Sequence, residues 1–272
     1  MIERFQYNAS AVGAGGRIVV PFEEIIPIQA SSALPETGGF GTARVERFQF
    51  RDIFSFRAAS SVVSGSYNKG NKSFDTLATV SIEGLNLLGM VTADRIVARL
   101  SSTYSEDGKE HSITPVGSSF ENLRIAGCPV KPRLAIDTFS QHDTFDKVKA
   151  AYRENLDHFR DEFNRLSLIG RGDSVPEKIR KHLPWCGLTE GKEIPETNGV
   201  IACSLVRELE GLGPEVKVYG HIIYVPGFGS VRLAELKITK CASRVTMLQV
   251  ELGSPTAGNA TAGGVETNGS PW

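Results

Sequence analysis

The sequence predicts a mainly β fold: an antiparallel sandwich of jelly-roll type, with a β-solenoid as the alternative, carrying an α-helical insertion. Three observations predict it. Apolar and polar residues alternate with a period of two in roughly nine or ten short stretches. Glycine-rich turns punctuate those stretches, and one longer stretch switches to the three-and-four spacing of an amphipathic helix. No fixed internal period of the kind that marks a solenoid runs through the 272 residues.

The first element is "VGAGGRIVVPF". Its Gly13, Gly15 and Gly16 precede a strand-like run, whereas a dinucleotide loop follows a strand and opens a helix, so phosphate binding is not read here. Next comes "LPETGG", Leu34–Gly39. Its first five letters match the signal that sortases cut between Thr and Gly, but that signal sits near a C terminus, ahead of an apolar stretch and basic residues. Pro35 fixes one φ and Gly38-Gly39 frees the next, which predicts a turn. The turn feeds "ARVERFQFRDIFSFR", residues 43–57, read as one strand with a kink near Asp52 or Ile53. Phe48, Phe50, Phe54 and Phe56 share one parity, and Arg47, Gln49, Arg51, Ser55 and Arg57 the other.

The alternation continues in "TLATVSIEG", with Ala78, Val80 and Ile82 inward, and in "VTADRIVARL", with Ile96, Ala98 and Leu100 inward. A polar loop "SEDGKEH" leads to a short strand in "SSFENLRIAG", which Gly127 and Pro129 end. From Thr144 to Leu166 the apolar residues Phe145, Val148, Tyr152, Leu156, Phe159, Phe163 and Leu166 step by three or four. That predicts a helix of about six turns with Asp143 or Thr144 as N-cap. A second short helix is predicted from Pro176 to just before Pro184. Strands resume in "GVIACSLVREL", "EVKVYGHIIYV", "GSVRLAELKITK" and "RVTMLQVEL", with a turn at Pro226-Gly227. The division is therefore 1–137, the first part of a β-rich domain; 138–198, a helical insertion; 199–252, its second part; and 253–272, a low-complexity tail. Rich in Gly, Ala, Thr and Asn, that tail is expected to be disordered in an isolated copy and ordered only by a neighbour, with Trp272 as an apolar anchor.

Composition excludes several function classes. The 30 basic and 31 acidic residues give a formal net charge of −1, which supplies no global attraction to nucleic acid or anionic lipid. No stretch approaches the ~18 apolar residues of a spanning helix. Met1–Gly16 lacks the apolar run of a secretory leader, so the chain as given does not read as a secretion precursor. Cys128, Cys186, Cys203 and Cys241 are widely spaced and contain no C-x-x-C; they read as small apolar groups, while two disulfides stay open as a reading.

Motifs that bear chemistry are few. His158 and Glu162 lie four apart, but Glu154, His158 and Asp161 fall on the wet face of the predicted helix, and His182 with Cys186 lacks a second ligand pair, so no metal site is read. There is no G-x-S-x-G elbow, and none of the five His residues stands out as a base. Arg171-Gly172-Asp173 matches the tripeptide bound by integrins but reads as a loop between two helices. Asn8, Asn71, Asn259 and Asn268 each begin an N-x-Ser/Thr triplet, mild support for an exposed surface. No catalytic residue, cofactor or metal is assigned.

One likeness adds to this reading. "LNLLGMVTADRIVARLSS" followed by "SSFENLRIAGCPV" resembles the choice-of-anchor P family of bacterial surface proteins. Leu87, Leu88, Gly89, Val91, Thr92 and Ala93 fit that family's first segment, and Phe120, Asn122, Leu123, Gly127, Pro129 and Val130 its second. The likeness spans about residues 9–130 and returns at 199–252. It implies an exported β-rich domain at the cell surface, with no catalytic residues to carry over; a cytoplasmic location is the alternative.

The sequence thus leads to a non-enzymatic structural or adhesive β domain that works by protein–protein contact and assembles with copies of itself. Phe5, Tyr7 and Trp272 are the candidate assembly contacts. A carbohydrate-binding or carbohydrate-active β domain, with Tyr, Trp or paired carboxylates in a groove and a glycan partner, is the alternative.

Overall fold

The structure, a computed structural model, describes residues 5–108, 110–154, 196–197, 199–219, 222–253 and 255–271. Five long strands open the chain: β1 (Phe5–Val20), β2 (Glu24–Ala33), β3 (Gly39–Phe50), β4 (Phe54–Asn68) and β5 (Ser73–Leu87). β6 (Val91–Ser105) follows, then short β7 (Ser112–Thr114), β8 (Ser119–Glu121), β9 (Arg124–Ile125), β10 (Cys128–Pro129) and β11 (Lys131–Leu134). Two helices, α1 (Ile136–Gln141) and α2 (Phe145–Arg153), precede β12 (Glu196–Thr197), β13 (Val200–Ser204), β14 (Val206–Glu210), β15 (Lys217–Tyr219) and β16 (Ile222–Val225). Three long strands complete the described chain: β17 (Gly229–Ile238), β18 (Ala242–Leu252) and β19 (Ala257–Pro271).

Among the described residues the strands form two large antiparallel sheets, with no closed barrel. One runs β12-β13-β17-β18-β19-β1-β2, with β16 also on β17 and β15 on β16; the other runs β10-β9-β6-β5-β4-β3, with β7 and β8 on β6. β11 and β14 make a separate pair. β1 and β19 pack on β5, and β19 also on β6, so the core lies between the sheets. The alternation read from sequence sets it: Ala78, Val80, Ile82, Ile96, Ala98 and Leu100 are all fully buried. Opposite them β1 and β19 present Ala9, Ala11, Ala14, Ala260, Ala262 and Val265, also buried. Small side chains on one sheet facing larger ones on the other let the layers close without voids.

Two expectations change. Residues 43–57 are not one kinked strand but the ends of a β3–β4 hairpin, turned at residues 51–53. A three-residue turn returns the chain in register, so Phe48 faces Phe56 and Phe50 faces Phe54, and the shared parity survives. The Phe48 and Phe56 rings stack with centroids 5.1 Å apart. The larger correction concerns the tail. Residues 257–271 are β19, hydrogen-bonded to β1 on one side and β18 on the other within one copy. No neighbour is needed to order it, because Ala260, Ala262, Val265 and Thr267 bury an inward face and both backbone edges are satisfied.

The turn at "LPETGG" is present: the Gly38 N–H donates to the Pro35 carbonyl (2.9 Å), and Gly38 takes φ 83°. Thr144 caps α2 by accepting from the Lys147 N–H at 3.3 Å, and Phe145, Val148 and Ala151 are its buried face. Glu154 is the C-cap of α2; the predicted helix beyond it, the second helix and Arg171-Gly172-Asp173 lie outside the described residues.

Candidate functional site

Two of the three candidate assembly contacts sit in the core. Phe5 is 9% and Tyr7 6% exposed. The Phe5 ring stacks on Phe74 with centroids 4.3 Å apart, and Tyr7 meets both rings edge-on. Burial and Asp75 push the Tyr7 hydroxyl above the ordinary tyrosine range. These aromatics close one end of the sandwich inside a single copy and leave little of their surface exposed. Trp272 lies outside the described residues.

The exposed apolar residues are elsewhere. Val19 (50% exposed) and Val20 (46%) end β1, while Ile25 (73%) and Ile28 (67%) stand on β2. β2 ends its sheet among the described residues, paired only to β1. Ile25 is opposite Arg17, and Ile28 lies beside Gly15, where an added Cβ would sit 3.5 Å from its Cγ1. Ion pairs rim the patch: Arg17 with Glu23, and Arg51 with Glu24. The Arg51 guanidinium also lies 4.1 Å above the Phe22 ring centroid. An apolar centre with a charged rim is the anatomy of a protein contact surface. The edges themselves are guarded against strand addition. β2 carries Pro27, which has no N–H, and Ala30 at φ 48°; β3 carries Arg44, Glu46 and Arg47, the last at φ 56°. What this edge presents outward is therefore side chains and not free backbone.

A second feature lies at the other end of β1. A cleft of ≈ 360 Å³ is lined by Gln6, Asn8, Glu36, Asn268 and Ser270, with Cys241 at its side. The period of two in "FQYN" builds it: Phe5 and Tyr7 turn inward, so Gln6 and Asn8 turn out. Cross-strand pairing then sets Gln6 opposite Ser270 and Asn8 opposite Asn268. The turn is held here by the Tyr7 N–H donating to the Glu36 carbonyl, 2.9 Å. Behind it His111 is 5% exposed, with Nε2 2.7 Å from the Gly269 carbonyl and Nδ1 3.1 Å from Ser102 Oγ. A carbonyl only accepts, so Nε2 carries the proton and Nδ1 accepts from Ser102. Burial lowers the His111 pKa, more than the bond to Gly269 raises it. Sequence reasoning missed the cleft because its two halves are separated by nearly the whole chain.

The remaining motifs fall into structural places. Buried Arg232 binds both Glu235 (3.4 Å) and Glu251 (2.9 Å), so these carboxylates share one cation as a structural ion network. Asn8, Asn71 and Asn259 are exposed, and Asn268 is half-buried. Cys128, Cys203 and Cys241 are not joined to one another; Cys186, His158, Asp161, Glu162 and His182 lie outside the described residues. Among the described residues no group of three His, Cys, Asp or Glu is placed to hold a metal ion. Among them, too, no helix is long and apolar enough to cross a membrane.

No curated protein and no solved structure matches this chain. One family model does, over residues 5–239, a span that takes in the whole of the second sheet, the first sheet apart from β18 and β19, and the cleft's β1 half. The chain belongs to that family, described as a domain of unknown function, DUF8256.

Proposed function

We propose that this chain is a non-enzymatic structural or adhesive β module that acts by protein–protein contact, assembling with copies of itself through the open β1–β2 edge. The observation that carries the reading is the set Val19, Val20, Ile25 and Ile28, exposed together inside a rim of ion pairs. Leaving four large apolar side chains in water forgoes roughly 1.5 kcal/mol or more for each one that a partner would bury. The likeness of residues 9–130 to choice-of-anchor P proteins supports a place at the bacterial cell surface.

Sedimentation velocity over a wide concentration range tests the reading. The expected result is reversible association that weakens in Ile25→Lys/Ile28→Lys, both fully surface positions, while the thermal transition of the monomer is kept. A chain that stays monomeric at its solubility limit overturns self-assembly, and association that ignores the double substitution overturns the edge.

A further inference from the structure

We propose that the cleft between the start of β1 and the end of β19 binds a neutral saccharide of one or two rings. The site is separate from the apolar edge, and neither proposal depends on the other. Its walls are two cross-strand pairs, Gln6 with Ser270 and Asn8 with Asn268. Directly opposed residues share a face, as do residues two apart, so the four polar side chains form one patch. Glu36 completes it from the turn, and Leu34 and Tyr7 give it a limited apolar contact.

The chemistry of the lining selects the ligand. An amide side chain both donates and accepts, as a sugar hydroxyl does, so amides and hydroxyls pair without either side being left unsatisfied. Asn268 Oδ1 is itself buried with no hydrogen-bond partner, out of a ligand's reach, so Asn268 meets the cleft through its other side-chain atoms. Among the described residues no Lys or Arg lines the cleft and Glu36 is the one charge, so an anion meets repulsion there and no counter-ion. One carboxylate is too few for calcium, which takes about six to eight oxygens. An apolar ligand would strip water from the amides and replace none of its hydrogen bonds. A volume of ≈ 360 Å³ stands at the small end of ligand sites, which suits one or two sugar rings and not an extended chain.

The test is isothermal titration calorimetry together with saturation-transfer NMR on the full chain. The probes are glucose, galactose, N-acetylglucosamine and cellobiose, with glucuronate as the charged control. At least one neutral sugar is expected to bind in the millimolar range. Asn8→Ala should weaken it about tenfold, the loss of one well-placed hydrogen bond in a polar site. Glucuronate should bind less tightly than glucose, and Glu36→Gln should narrow that gap. Asn8 and Glu36 are both exposed, so these variants keep the fold. The proposal is overturned if none of the four neutral sugars binds, if a bound sugar keeps its affinity in Gln6→Ala/Asn8→Ala, or if glucuronate binds more tightly than glucose.

Discussion

Replacing Thr267 by Val should make this protein more stable, although Thr267 is a fully buried residue in a central strand. It sits on β19 opposite Ala9 of β1 and Ser243 of β18, with no exposed surface. Its Oγ1 has no hydrogen-bond partner, and neither does Oγ of Ser243 across the strand pair. An unsatisfied buried hydroxyl costs about 1–3 kcal/mol. Valine keeps the branched shape and the strand preference and puts a methyl where the hydroxyl was. Part of the gain is offset because a methyl is slightly larger than a hydroxyl in a packed core. The net expectation is a gain of about 1 kcal/mol, or an increase in Tm of about 2–4 °C for a chain of this size. Urea unfolding followed by circular dichroism reads it, with Ser243→Ala as companion. A loss of more than about 1 kcal/mol in Thr267→Val would refute the reasoning. So would strong coupling between the two substitutions, which means a buried water bridges the hydroxyls and satisfies both.

Three further outcomes follow from the same structure. A chain ending at residue 253 lacks β19 and leaves β1 and β18 without a partner strand between them, so it should show no cooperative unfolding transition; a sharp thermal transition near that of the full chain would contradict the strand's central role. The folded-state pKa of His111 is lowered by burial, so its neutral form is favoured by folding and stability is complete above the unfolded value of about 6.5. Denaturation midpoints should therefore fall as pH drops from about 6.5 to 5.5, and His111→Gln should flatten that slope. Thr144→Ala removes the side chain that caps α2 and should cost about 1 kcal/mol, read as a lower urea midpoint with unchanged slope.

Much of the fold is legible in the sequence because a strand with one buried face writes its own period. Ala78, Val80 and Ile82 announce β5, and Ile96, Ala98 and Leu100 announce β6, without reference to any other part of the chain. The β3–β4 hairpin was harder to see. Phe48, Phe50, Phe54 and Phe56 keep one parity through the turn at 51–53, so the pattern of a hairpin and that of a continuous strand coincide. β19 was hardest. "AGNATAGGVETNG" has the composition of a disordered tail, and its inward residues are mostly alanine and glycine. Their smallness is a packing feature: opposite them stand the larger side chains of β5 and β6, and Gly263, at φ 71°, has room for a Cβ only 3.3 Å from that of Met247. Hydrophobicity scales register the buried size of a residue and not the fit between two layers, so a strand made small to match its partner reads as no strand at all.

That reassignment changes where the proposed assembly contact would lie. Were the C-terminal segment unpaired, it would be the natural adhesive element, with Phe5 and Tyr7 beside it. With both its edges bonded inside one copy, it has no backbone hydrogen bonds left to offer, and Phe5 and Tyr7 are already occupied with Phe74. The unpaired backbone of β2 and β3 is in turn protected by Pro27, by the left-handed backbone at Ala30 and Arg47 and by charge. What is left for contact is side-chain surface, and at the β1–β2 edge its apolar part lies on Val19, Val20, Ile25 and Ile28. An interface of that kind buries little area per copy, so it should be weak for a pair and become firm only where many copies are held side by side. A monomer–dimer equilibrium in dilute solution and tight association on a crowded surface are then two readings of one patch, and both should be lost together in Ile25→Lys/Ile28→Lys.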